Sequence, residues 1–224
     1  MVSGDARIEA VHPALLEAAE SAVRNSTARR GTVIRDTRTV AARLGEAAIR
    51  LFSERGFDNV VVAEIAAEAG VTSRTFHRYF PSREAVITDI ADVTNERLVE
   101  LIRGSQQPTM LAALQEAVSQ WLAQYEELFA SIAKISHESD HLMGAILLTT
   151  AKWEDRVGRA LHERYPASVD VDGRILGVVM MGVLRVAQSE STERGVSLLE
   201  ETNQLMSRLG TLIAVGQDSE QRRG

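Results

Sequence analysis

Cysteine is absent, which excludes disulfides, thiolate metal sites and a cysteine nucleophile. Aromatic residues are scarce at 4%, and no apolar run approaches the about 20 residues that a bilayer-crossing helix needs. A secretory leader is missing from the expected place: MVSGDARIEAVHPALLEAAE carries acids where a signal peptide has a basic segment followed by an apolar one. A cytoplasmic protein is therefore expected. With 224 residues, 45% of them hydrophobic and 25% charged, the chain can bury a full core, and a small domain followed by a larger one fits that length.

The charge is unevenly spread. Residues 24–83 hold eleven arginines against six acidic residues, a local balance of +5 in a chain of net charge −6. Such a segment suits nucleic acid, and equally suits a solvated basic face. Motifs have to decide between them.

Alanine, leucine, glutamate and arginine at helical spacing point to an all-α fold. The β-branched run NVVVAEI at 59–65 is the one strand candidate, and it leads straight into alanines. Residues 1–36 read as an extension, with a helix over 13–24 and a basic linker RNSTARRGT at 24–32. From Thr37 the pattern sharpens, with Leu44, Ala47, Ala48, Leu51 and Phe52 on one face and Gly56 at the end of that helix. A second helix is expected over Val62–Ala69, broken by Gly70. Thr72 is placed to cap a third, and Pro81-Ser82 to stop it and cap a fourth. After a break at Gly104–Pro108, further helices are expected near 109–125, 126–137, 141–164, 170–190 and 195–214.

Two short helices joined by a glycine-containing turn make a helix-turn-helix, whose second helix enters a DNA major groove. Ala63, Ala66, Ala67 and Ala69 are small enough for close packing, and Val71, Phe76 and Phe80 are the expected buried set. Thr72, Ser73, Arg74, Thr75, His77, Arg78 and Tyr79 are left to face DNA, their hydroxyls and guanidinium groups suited to phosphates and base edges.

The stretch RLGEAAIRLFSERGFDNVVVAEIAAEAGVTSRTFHRYFPSRE, residues 43–84, resembles the tetracycline-repressor (TetR) family of transcription regulators, above all in LFSERGF, IAAEAGVT and FHRYFPSRE. The resemblance implies a DNA-binding domain over 37–83, a helical ligand-binding and dimerisation domain over 84–216, and a tail over 217–224. It places Thr72, Ser73, Arg74 and Thr75 near bases and phosphates, His77 and Tyr79 at phosphate-contacting positions, and Arg83 against the DNA backbone, with Arg38 and Arg43 further candidates. Arg74 stands where many members have glycine, which suggests a bidentate contact to guanine. Val61 stands where the family commonly has a capping, phosphate-contacting threonine; that contact should be absent or come from Asn59.

Two other features compete for attention. HESDH at 137–141 matches H-E-x-x-H, in which His137 and His141 would hold zinc with Glu138 as base. Against it, Ser139-Asp140 reads as a helix start, which would separate the two histidines. In the acidic remainder, GRILGVVMMGVLRVA at 173–187 is apolar over most of its circumference, with Gly173, Gly177 and Gly182 permitting close approach, and it suits a two-fold dimer together with 195–214. Trp121, Tyr125, Met143, Leu147 and Met180 are candidates to line an effector cavity or to serve as ordinary core.

The expectation is a homodimeric DNA-binding regulator. It would be a repressor released from a palindromic operator by a small, largely apolar effector, with no cofactor, no enzymatic activity and no membrane association. The competing expectation is a helical-bundle metal protein built on HESDH.

Overall fold

The computed structural model describes the backbone of residues 34–166 and 172–221, and the side chains of 40–166 and 172–211. The expected helix at 13–24, the linker at 24–32 and the side chain of Arg38 lie outside the described residues. Eight α-helices and one 3-10 turn are described, with no strand among the described residues: α1 Ile34–Arg55, a 3-10 turn Phe57–Asn59, α2 Val62–Glu68, α3 Ser73–Tyr79, α4 Arg83–Gly104, α5 Met110–His137, α6 Asp140–Arg164, α7 Gly173–Arg194 and α8 Leu198–Gln221. Where two helices were expected over 109–137, α5 is continuous. AQYEELF, across the expected break, contains no glycine or proline to interrupt it. The NVVVAEI run is not a strand, since its second half is the first turns of α2.

The described residues form two compact units, one of residues 34–97 and 127–151, the other of 98–126, 152–166 and 172–221. Helices α4, α5 and α6 each contribute residues to both units.

In the first unit the apolar stripe of α1 is fully inside, from Leu44 through Ala47, Ala48 and Leu51 to Phe52. Phe52 packs on Phe57 at 4.7 Å between ring centroids, and Phe76 on Phe80 at 5.7 Å. Each fully buried Phe contributes roughly 1.5–3 kcal/mol. The two pairs join the 3-10 turn and α3 to the core. Small residues of α2 are used selectively: Ala66 and Ala69 are buried, while Ala63 and Ala67 face out, and Val71 is only half-buried. Gly70 adopts φ +66, and a Cβ there would also meet the Arg43 guanidinium at 2.7 Å. The positive φ is what requires glycine at this turn, since the Arg43 side chain could swing aside.

One carboxylate in this unit is poorly placed. Burial, and secondarily the neighbouring Asp92 carboxylate, push Asp89 on α4 up to about 6. A folded-state value raised above the unfolded one means that stability is highest in acid and is lost as pH rises from about 4 through 6. Asp89→Asn is therefore expected to gain on the order of 1 kcal/mol over the parent at pH 7.5, with the advantage vanishing near pH 4. Paired thermal melts across that range would show it, and a pH-independent difference would contradict it.

The second unit is held by close backbone approach and by side-chain polar ties. Gly158 of α6 lies against the start of α7, where a Cβ would come within 2.6 Å of Arg174 Cα. Asp172 caps α7 through Arg174 N–H at 2.9 Å. Glu126 accepts from Ser197 Oγ at 2.6 Å and from Leu199 N–H at 3.1 Å, placing a negative charge at the positive end of α8. Tyr165 Oη donates to Gln107 O at 2.7 Å, fixing the segment between α4 and α5. Among the described residues no helix is long and apolar enough to cross a membrane.

Candidate nucleic-acid interface

Helix α3 has seven residues, too few to persist alone, so its ends must be fixed by side chains and by the core. Thr72 does this at the start: its Oγ1 accepts from Thr75 N–H at 3.2 Å and lies 3.1 Å from Thr75 Oγ1. Phe76 anchors the inner face with no exposure, and Phe80 closes the far end. Ser82 then caps α4 through Ala85 N–H at 3.3 Å. Thr72, Arg74, His77 and Arg78 are left exposed on the outer face, flanked by the half-exposed Ser73, Thr75 and Tyr79. His77 meets the Phe76 ring edge-on at 5.5 Å, and Arg78 lies over the Tyr79 ring at 5.0 Å with its guanidinium donating to Tyr79 Oη at 3.2 Å.

The arginines of this unit divide sharply in use. Arg43 donates to Ala69 O at the end of α2, Arg50 pairs with Glu68, and Arg55 pairs with Glu64 at 2.7 Å. Arg83 is turned onto the protein itself. It donates to Phe57 O at 2.9 Å and Val60 O at 2.6 Å, and its guanidinium lies 4.4 Å from the centre of the Phe57 ring. Arg74 differs from all of these: it is exposed and makes no hydrogen bond or ion pair with any described residue.

The start of α2 has its own solution. Val61 has no side chain to cap with, so the Glu64 carboxylate accepts from Val61 N–H at 3.0 Å. That amide first, and then Arg55, hold Glu64 below the usual carboxylate range. Asn59 does not stand in for the missing threonine, because its Nδ2 donates backwards to Arg55 O at 2.8 Å and closes α1. Glutamate three residues after the cap position was the available sequence signal.

The HESDH segment is broken between its histidines. His137 ends α5, Ser139 is buried and caps α6 through Leu142 N–H at 3.3 Å, and His141 lies in the first turn of α6. Ser139 Oγ also donates to Asp58 Oδ1 at 3.0 Å, and His141 Nε2 sits 3.3 Å from Glu84 Oε1. Among the described residues no group of three or more His, Asp or Glu side chains is gathered as a metal would require.

The five cavity candidates divide between the two units. Trp121, Tyr125 and Met180 are buried in the second unit, whereas Met143 and Leu147 belong to the first, where Leu147 is 46% exposed. An open cleft of about 610 Å³ in the second unit is lined instead by Gln115 of α5 and by Asn203, Met206, Ser207, Gly210 and Thr211 of α8.

With helix, turn and capped second helix in place, the comparison with known proteins is decisive for this part of the chain: residues 44–90 match the family described as bacterial regulatory proteins, tetR family. That segment is of the tetR family. The HTH-type transcriptional regulator BetI of Agrobacterium fabrum is 31% identical over 100 residues, covering 38% of this chain and 48% of that protein. The chain thus spans about half the length of this relative. Among solved structures, a TetR-family regulator from Syntrophomonas wolfei superposes with a TM-score of 0.63 at 15% identity, over 80% of this chain and 96% of that one. A transcriptional regulator of the TerR/AcrR family from Aquifex aeolicus does so with a TM-score of 0.54 at 20% identity, over 78% and 99%. The tetR-type segment is regulatory rather than catalytic in its matches, and the structural likeness extends the fold well beyond it.

Proposed function

We propose that the chain is a ligand-responsive transcriptional regulator, a homodimeric repressor that binds a palindromic operator through α3 and leaves it when a small, largely apolar effector binds the helical region after residue 84. The observation that carries this reading is the outer face of α3, cationic and hydroxyl-bearing, on a scaffold whose sequence matches the tetR family. Thr72, Ser73, Arg74, Thr75, His77, Arg78 and Tyr79 form the DNA-facing set. Arg43 and Arg83 serve that face from behind by fixing the turn and the 3-10 segment. Arg38 extends the set from α1.

Dimerisation is supported by α7. Ile175, Val178 and Val186 are 61%, 52% and 47% exposed, and with Gly182 they fall on one stripe of the helix. Such a stripe is an expected interface, and a two-fold dimer would set its two α3 helices on half-sites about 34 Å or a multiple apart. The buried Trp121, Tyr125 and Met180 give the second unit an aromatic and thioether lining from which an effector cavity can open. The effector acts by preferring a dimer whose α3 spacing no longer matches successive major grooves.

Purified protein incubated with fragments of its source genome, followed by sequencing of the bound sites, tests the reading. Enriched two-fold palindromes are expected, with affinity falling steeply as salt rises. Absence of enrichment at every salt concentration would rule it out.

A further inference from the structure

Arg74 separates from the other cationic and aromatic side chains of this face by its freedom among the described residues. Thr72 and Thr75 spend their hydroxyls on the helix cap, Arg78 is held on the ring and hydroxyl of Tyr79, and His77 rests edge-on against Phe76. Behind the face, Arg43, Arg50, Arg55 and Arg83 are each committed to a carbonyl or a carboxylate. A planar group that carries donors only, exposed and unengaged, is left at one position.

We propose that Arg74 is the specificity-determining residue of the operator, reading one guanine in each half-site by donating from its guanidinium to guanine O6 and N7 in the major groove. The inference rests on the DNA-binding reading above. Guanine follows from the chemistry. It alone presents two adjacent acceptors on its major-groove edge, whereas adenine offers an acceptor beside a donor that would face another donor. Arginine matches two acceptors through its planar fork, while lysine supplies a compact charge without that fork. The engaged neighbours reinforce the assignment, because groups already tied into the helix end can hold a phosphate but cannot swing to follow a base.

The test is selection from a randomised duplex pool by the full chain and by Arg74→Ala and Arg74→Lys, followed by binding to the selected site with 7-deazaguanine, which lacks N7, at the implicated position. Arg74 has no partner among the described residues, so all three proteins should melt alike. The parent should enrich a guanine at one position per half-site. Arg74→Ala should lose that preference alone and keep the flanking ones, at a cost of roughly 10- to 100-fold in affinity for the guanine site. 7-Deazaguanine should weaken the parent about tenfold or more and leave Arg74→Ala unmoved.

A uniform loss across all sequences, with a salt slope shallower by about one, would make Arg74 a phosphate contact and overturn the inference while leaving the regulator reading intact. An unchanged guanine preference in Arg74→Ala, or a parent site with no such guanine, would overturn it likewise. A parent that enriches no sequence would overturn the DNA-binding reading and this inference together.

Discussion

Replacing Gly158 or Gly177 with alanine is expected to destabilise the second unit by about 3 kcal/mol each, from one added methyl. At Gly158 the new Cβ would stand 2.6 Å from Arg174 Cα, 2.9 Å from Arg174 N and 3.0 Å from Gly173 O. At Gly177 it would run into the carbonyl of Glu154. Every one of these neighbours is backbone, so no side chain can rotate away, and α6 and α7 would have to separate. Gly182 is the control on the same helix, with nothing within 4 Å of its Cβ position. There alanine replaces a flexible residue in a helix interior and should gain about 0.5–1 kcal/mol. Denaturant melts of the three variants should therefore give two large losses and one small gain. Similar effects at all three would mean that the close approach of α6 and α7 does not set the cost. The gain at Gly182→Ala is the expected result for the unassociated chain; in the proposed dimer, whose interface includes the Gly182 stripe, the added methyl should also weaken association, read as a loss that grows on dilution.

What was legible in the sequence was local. The α1 stripe from Leu44 to Phe52, the stops at Gly56 and Gly70, and the caps at Thr72 and Ser82 each depend on residues within a turn or two of one another. The same holds for the break in HESDH, since Ser139 caps a helix that begins beside it. Arginine use was not legible. Arg43 reaches a carbonyl 26 residues on, and Arg83 one 26 residues back, and no spacing rule distinguishes an arginine that will fold inward from one that will face DNA. Helix continuity across 125–126 rests on the helix-forming glutamates there, which carry α5 past the expected boundary. Helical periodicity finds buried faces, but it does not say that Met143 and Leu147 belong to one unit and Trp121, Tyr125 and Met180 to the other.

Arg83 gives the sharpest test of that distinction. By resemblance it is a phosphate contact at the start of α4, whereas the structure uses it to gather the 3-10 turn. Its guanidinium donates to Phe57 O and Val60 O, approaches Asp58 O at 3.4 Å, and covers the Phe57 ring. Charged hydrogen bonds of this kind contribute about 1.5–3 kcal/mol, and a cation over an aromatic ring about 0.5–1 kcal/mol more. Arg83→Ala would strip the donors from carbonyls whose own residues, Phe57 and Val60, are buried. It is expected to cost about 3 kcal/mol and to lower the melting temperature by several degrees. Arg83→Lys should recover only part of this, because one ammonium cannot bridge two carbonyls and lie flat on a ring. A phosphate contact predicts the opposite pattern: unchanged melting, full function with lysine, and a salt slope of DNA binding reduced by about one in Arg83→Ala. In the structural role, the loss of DNA binding in Arg83→Ala follows the folded fraction and is recovered by lowering the temperature, since the surface that meets DNA is untouched and only its support has gone.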